Sequence, residues 1–323
     1  MRYARLDPLD LDTAPLREST VVVVGAGATG SRMLEQLART GADLRIVDRD
    51  VLETANLATS ALYTEEQVEE RLPKAVAAER RLEAVNGKIR IEADVADLTH
   101  RNADTLLSPA DIVLDGTDNV ETRYLINEYC VTHEVPWVHV AALGERGAVM
   151  PVRPGETACF NCVFGDVDSA ALATCETGGI DPAAASTAAA LGVRTAAALR
   201  DGEPVQGLTR FDLGRGTFHD LSVAREACRV CRGEASPYLD GEKGSSTARV
   251  CGEDQYQVRG AGDVDLERLA DELAEQGTVQ RNDHLLRFHD GDTRFTVFRG
   301  GRMLVEAESP EEARSIYARY VGV

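Results

Sequence analysis

Four consecutive valines, Val21 to Val24, run directly into the hexapeptide GAGATG. A run with no polar alternation suits a strand buried on both faces, the kind found in parallel sheets flanked by helices. Gly25, Gly27 and Gly30 are followed by the amphipathic stretch SRMLEQLARTG and then by LRIVD, which ends at Asp48. Strand, glycine turn, helix and strand, with an acid about 20 residues beyond the glycines, form the first unit of a doubly wound α/β fold. Glycines admit close approach of a ligand to the backbone, the helix N-terminus attracts phosphate, and the acid accepts hydrogen bonds from a ribose. A nucleotide site is therefore expected at Gly25, Gly27, Gly30 and Asp48. Dinucleotide oxidoreductases share this motif, and a glycine turn that only packs a helix is the plainer alternative.

Further along, RLPKAVAAERRLEAVN carries Lys74 on a helical pattern, KIRIEADV reads as a strand, and DIVLDGTDN reads as a buried strand. Asp115 and Asp118 fall at the carboxyl end of the last of these, where open parallel sheets bind their ligands. An acid placed there holds a metal or orients a phosphate, unless Asp118 and Asn119 merely cap the next helix. Cys159 with Cys162 and Cys228 with Cys231 form two CxxC pairs. Each pair presents two sulfurs from a tight knuckle, and two knuckles complete a tetrahedron around zinc with no position left for water. The expected role is structural, and a dithiol redox pair is the alternative. Cys175 lies between the knuckles in the glycine-rich ALATCETGGIDP, read as a flexible loop. Beyond it an alanine-rich helix pattern and a hairpin, RFDLGRG with TFHDLSV, lead to the second knuckle.

The chain has 323 residues, enough for two structural units. We expect an α/β domain over 1–235, a linker over 236–251, and a small α+β domain over 252–323 in which two helices cover an antiparallel sheet. A formal net charge of -19 makes a nucleic-acid backbone a poor partner. Lys74, Lys88 and Lys243 are the only lysines, and this scarcity with dispersed acids reads as adaptation to a salt-rich cytosol. No apolar stretch approaches the roughly 18 to 20 residues of a membrane span, and MRYARLDPLDLD lacks a signal-peptide pattern, so a cytoplasmic protein is expected.

The ordered set RYARL, GAGATG, VDRD, Asn56-Leu57, the PKA containing Lys74, DGTDN with Arg123, the two CxxC pairs and Cys175 in TCETGG resembles the ThiF/MoeB/HesA adenylyltransferase family, relatives of ubiquitin-activating enzymes. The resemblance covers roughly residues 2 to 233. It implies a Rossmann-like, mostly parallel sheet and an enzyme that uses ATP and Mg2+. Its substrate would be the C-terminal glycine carboxylate of a ubiquitin-like or sulfur-carrier protein ending in diglycine, converted to the acyl-adenylate with release of pyrophosphate. By motif, Gly25, Gly27 and Gly30 lie near the phosphates and Asp48 holds the ribose. Asn56 and Lys74 contact the nucleotide, and Asp118 positions Mg2+. Arg5 corresponds to an arginine that reaches into the neighbouring subunit's site, which implies a homodimer. Cys175 matches a loop cysteine that, in some members, attacks the adenylate; in others a separate sulfurtransferase completes the reaction. One departure stands out: the family commonly reads Asn-Leu-x-Arg-Gln, whereas this chain reads Asn56-Leu57-Ala58-Thr59-Ser60. Arg71, three residues before Lys74, is the candidate replacement cation. The missing arginine motivates a second reading, a scaffold that binds a ubiquitin-like protein without activating it. An oxidoreductase has no use for Lys74, Asp118 and paired knuckles in this order.

Overall fold

The computed structural model describes residues 2–7, 13–165, 178–205, 207–225, 228–243, 247–249, 255–260 and 262–322. Cys175 and Cys251 lie outside them. The chain divides into two compact units, Met1–Lys243 and Gly244–Val323.

In the first unit the valine run forms β1 (Thr20–Val24), and the predicted alternation follows. Helix α1 (Ala14–Arg17) precedes it, α2 (Ala28–Thr40) follows the glycine turn, and β2 (Asp43–Val47) ends beside Asp48. Then come α3 (Asn56–Thr59), α4 (Glu65–Glu69), α5 (Lys74–Val85) and β3 (Ile91–Asp94). Next are α6 (Ala103–Leu107), β4 (Ile112–Asp115), α7 (Val120–Thr132), β5 (Trp137–Leu143) and β6 (Arg146–Val152). Helices α8 (Phe160–Phe164) and α9 (Pro182–Arg200) lead to the hairpin β7 (Leu208–Asp212) and β8 (Thr217–Leu221). The sheet order is β3-β2-β1-β4-β5-β6-β7-β8. Pairings from β3 through β5 are parallel and those from β5 through β8 antiparallel.

The valine run is apolar throughout because each face of β1 meets its own core. Val21 and Val23 pack with Met33, Leu34 and Leu37 of α2 and with the alanines of α9. Val22 and Val24 pack with Tyr124 and Ile126 of α7. Each fully buried valine contributes on the order of 1.5–3 kcal/mol, so a polar residue on either side of this strand would be costly.

The second unit has a six-stranded sheet in the order β11-β12-β13-β14-β10-β9. Its strands are β9 (Thr247–Arg249), β10 (Gln255–Arg259), β11 (Thr278–Arg281), β12 (Leu285–His289), β13 (Arg294–Phe298) and β14 (Arg302–Glu306), all antiparallel to their neighbours. Helices α10 (Leu266–Leu273) and α11 (Pro310–Tyr320) bury Leu266, Leu269, Leu273, Ala313 and Tyr320 with Phe288, Phe295 and Val305 of the sheet. The α+β expectation holds, with two helices on an antiparallel sheet of six strands. Among the described residues no helix is long and apolar enough to cross a membrane.

Candidate active site and four-cysteine centre

From β1 the chain proceeds outward to β2 and β3, then returns to place β4 on the other side of β1. Such a reversal opens a crevice at the carboxyl ends of the two central strands. The glycine turn after β1 and the turn after β4 meet there. Gly25 has φ +89°, and a Cβ on it would lie 2.7 Å from the Gly116 carbonyl oxygen. A Cβ on Gly30 would lie 1.9 Å from the Gly25 carbonyl oxygen. Only glycine tolerates both the left-handed backbone and this approach.

Asp48 fixes the turn to the end of β2. Its Oδ2 accepts from the Ala26 amide at 2.6 Å and its Oδ1 from the Asp50 amide at 2.7 Å. Burial, with help from Asp50, raises the Asp48 pKa, while Lys74 and the two amides oppose the shift. Each oxygen retains a further lone pair, the acceptor capacity a ribose hydroxyl needs. Tyr63, which the sequence reading missed, donates its hydroxyl to the Ala26 carbonyl, and burial followed by Asp48 and Asp50 raises its pKa. No period or motif marks this tyrosine; only the returning path of residues 59–63 brings it to the turn.

Lys74 is the first residue of α5. Its amide donates to the Asp50 carbonyl at 2.8 Å, and its Nζ lies 3.1 Å from Asp50 Oδ2. Burial would depress the ammonium, but Asp50, Asp48 and Asp118 outweigh it and raise its pKa. Arg49 joins the same network, 3.6 Å from Asp50 and 3.2 Å from Asp97. Arg71, the candidate replacement cation, does not share a helix with Lys74, because α5 begins only at Lys74 and Arg71 has φ +54°.

Of Asp118 and Asn119, it is Asn119 that takes the capping role. Asn119 caps α7, its Oδ1 accepting from the Glu121 amide at 2.9 Å and the Thr122 amide at 3.3 Å. Asp118 is exposed beside the crevice and is close enough to raise both Lys74 and Arg49. Asp115 turns inward: it is fully buried, bonded to Thr117 Oγ1 at 2.7 Å and His139 Nδ1 at 2.8 Å, and 3.3 Å from Arg123. Burial favours its neutral form, but Arg123, His139 and Thr117 overcome this and lower its pKa. Burial also lowers that of His139. This is a support beneath the crevice. Asn56 opens α3 with its Oδ1 accepting from the Glu53 amide at 3.0 Å, and the Thr59 carbonyl at the end of α3 accepts from Arg32 Nη1.

The N-terminal turn is docked. Arg2 donates to the Val85 carbonyl at 3.0 Å, Asn86 donates to the Tyr3 hydroxyl at 3.0 Å, and Arg17 lies over the Tyr3 ring. Arg5 is exposed in this turn.

The two knuckles meet as a four-cysteine centre. Cys159 and Cys228 sulfurs are 3.6 Å apart, Cys162 and Cys231 3.6 Å, and Cys159 and Cys162 3.7 Å. All four lie within 4.8 Å of one another and none is in a disulfide. Four thiolates at 2.3 Å from one ion form a tetrahedron with edges of about 3.8 Å, so the set fits a closed four-sulfur site. Hydrogen bonds from Cys159, Cys162, Cys228 and Arg225 pull the Cys231 thiol down to about 5 against burial, and burial leads in pushing Cys162 up to about 11.

Residues 7–232 match the ThiF family. Over 316 residues, 95% of this chain and 94% of the relative, the sequence is 35% identical to the sulfur carrier protein ThiS adenylyltransferase of Bacillus subtilis (strain 168). Over 233 residues, 68% of this chain and 84% of the relative, it is 35% identical to a sulfur carrier protein adenylyltransferase of Thermus thermophilus. The fold is shared with the crystal structure of Escherichia coli MccB with ATP, with a TM-score of 0.63 and 20% identity over 72% of this chain and 75% of that one.

Proposed function

The chain belongs to the ThiF family, and from that premise we propose that it is an ATP-dependent adenylyltransferase acting on the C-terminal glycine carboxylate of a ubiquitin-like sulfur-carrier protein. The observation that carries the reading is the convergence, at one crevice, of the glycine turn, Asp48, Lys74 and Asp118 from separate elements.

In the reaction a carboxylate oxygen attacks the α-phosphorus, the bond to the β-phosphate oxygen breaks, and acyl-adenylate and pyrophosphate result. No proton need move, so catalysis consists of positioning and charge stabilisation. The glycine turn and the α2 N-terminus receive the phosphates on backbone N–H groups. Asp48 and Asn56 hold the nucleoside. Lys74 transfers its charge from Asp50 to the triphosphate. Asp118, released from capping by Asn119, is the residue that would hold Mg2+, which screens the repulsion between carboxylate and phosphates. The four cysteines would hold Zn2+ as a closed structural site that ties α8 to the segment after the hairpin.

A homodimer in which Arg5 enters the neighbouring subunit's crevice is part of this proposal. The docked N-terminal turn supports it: Tyr3 sits against Asn86, just past the end of α5, whereas Lys74 opens that helix. The two ends are separated by about 16 Å at 1.5 Å per residue, which sets Arg5 apart from its own Lys74.

The test is ATP–pyrophosphate exchange with purified protein, Mg2+ and diglycine-ending carriers. Carrier-dependent exchange is expected, falling about 100-fold or more in Lys74→Ala and Asp118→Ala, in line with losses on removing single charge-stabilising groups. Carrier binding without exchange would favour the scaffold reading, for which Thr59 is the motivating departure.

A further inference from the structure

Three cations near the crevice face carboxylates: Lys74 faces Asp50, Arg49 faces Asp50 and Asp97, and Arg123 faces Asp115. Arg32 does not. It projects from α2, where Nη1 donates to the Ala28 carbonyl at 2.8 Å and to the Thr59 carbonyl, while Nε donates to Ser186 Oγ at 2.7 Å. Three neutral oxygens from α2, α3 and α9 thus fix the guanidinium beside the first turn of α2. The nearby acid of its own helix, Glu35, pairs with Arg39 at 2.8 Å, and Arg32 has no ion pair among the described residues. Burial lowers the Arg32 pKa and Glu35 only partly opposes it, as expected of a cation short of negative charge. A guanidinium has five N–H groups in a fixed fork. Nε and Nη1 use three of them, so the two on Nη2 have no partner among the described residues.

We propose that Arg32 is a substrate-binding residue whose Nη2 hydrogens receive the phosphates of ATP that leave as pyrophosphate. The inference rests on the adenylation reading and adds to it a cation of the same subunit that has no ion pair among the described residues. A fork held in place by neutral acceptors is preorganised for phosphate oxygens, and the charge it meets grows as the α–β bond breaks. Thr59, where the resembling family commonly has arginine, contributes its carbonyl to holding this one.

The experiment is calorimetric titration of the full chain with ATP and, separately, with AMP in the presence of Mg2+, for wild type, Arg32→Ala, Arg32→Lys and the double variant Arg32→Ala/Thr59→Arg. Arg32→Ala is expected to weaken ATP binding about 10- to 100-fold, the value of charge-assisted hydrogen bonds, while AMP affinity stays within about twofold. Arg32→Lys keeps the charge but not the fork, and is expected to bind ATP several-fold more weakly with AMP unchanged. It carries the test if Arg32→Ala melts early. The double variant is expected to recover ATP affinity. Unchanged ATP affinity in both single variants, or equal losses for ATP and AMP, would overturn the proposal. Wild-type chain that binds neither nucleotide would overturn both it and the adenylation reading. If ATP binding depends on Arg32 as expected but no carrier supports pyrophosphate exchange, the Arg32 assignment stands and the adenylation reading fails.

Discussion

Glu128 is buried to 0% exposure in the middle of α7. Its Oε2 accepts from the Tyr238 and Leu239 amides at 2.8 and 2.9 Å, and its Oε1 has no hydrogen-bond partner among the described residues. Burial pushes its pKa up to about 7 against the pull of those amides. Because the folded state holds the proton more tightly than the unfolded chain, whose glutamates titrate near 4.3, this residue's contribution to stability is full below about pH 4.3. It is lost progressively as pH rises to about 7. Glu128→Gln is neutral at every pH, so urea midpoints at pH 5 and pH 8 should show wild type losing ground relative to the variant across that interval. Asp115 and His139, held below their ordinary values, act with the opposite sign and lose their contributions as pH falls. They are common to both proteins and cancel in the difference. None of this was legible in ETRYLINEYCVTHEVPW, which shows only a helical pattern. The partners of Glu128 are more than a hundred residues further along the chain. By contrast the placement of Lys74, Asp118 and Asp48 beside one crevice was legible because their motifs are local, near a strand end or helix start.

At the scale of elements, the glycine turn separates two kinds of glycine that the motif treats alike. Gly30 is held by packing, since a Cβ there would lie 1.9 Å from a backbone oxygen that cannot swing away. Gly27, the N-cap of α2 at φ -75°, has nothing within 4 Å of its would-be Cβ. Gly30→Ala is therefore expected to cost about 1–3 kcal/mol or more in denaturant unfolding. Gly27→Ala should stay within about 0.5 kcal/mol of wild type yet bind ATP about tenfold more weakly, because the added methyl stands where backbone must approach phosphate. Equal ATP affinity in Gly27→Ala and wild type would remove Gly27 from the site. The β7–β8 hairpin and strands β1 to β4 were legible from alternation and apolar runs, whereas β5 and β6 were not read. β9, β10 and β11 were not, because TAR, QYQVR and TVQR are short and mixed in polarity, and only pairing to neighbours makes them strands. The left-handed Arg71 was invisible for a similar reason, since a residue type that favours helices carries no mark of a backbone imposed by the turn between α4 and α5.

For the whole molecule, the division falls between Lys243 and Gly244, within the 236–251 stretch expected to be a linker. Its first residues are bound to the first unit. Besides the Glu128 bonds, the Tyr238 ring stacks on Tyr124 at 5.0 Å between centroids. A chain ending at 243 is accordingly expected to keep ATP–pyrophosphate exchange and the stability of its unit. One ending at 235 should be less stable by about 2–4 kcal/mol, having lost two hydrogen bonds to a buried carboxyl and an aromatic stack. Comparing the two truncations in urea checks this, and equal midpoints would mean that the segment is a passive tail. The polar composition of PYLDGEKGSS concealed the attachment, since two of its anchoring contacts are made by backbone amides, which every sequence possesses.

The Lys74–Asp50 pair also defines how the crevice must work as a whole. On the proposed adenylation Lys74 meets the triphosphate while already paired with an anion that the chain itself supplies, so the nucleotide competes with Asp50 for its charge. The crevice is in effect an ion exchanger loaded with its own counter-ion. A chloride or a lone carboxylate gains little by the trade, because it offers no more charge than the group it evicts. A triphosphate offers several charges at once and carries its own claim on the backbone amides of the turn, so the exchange favours it. In a chain with so few lysines and so large an excess of acids, a resident counter-ion of this kind would favour polyanions over single charges.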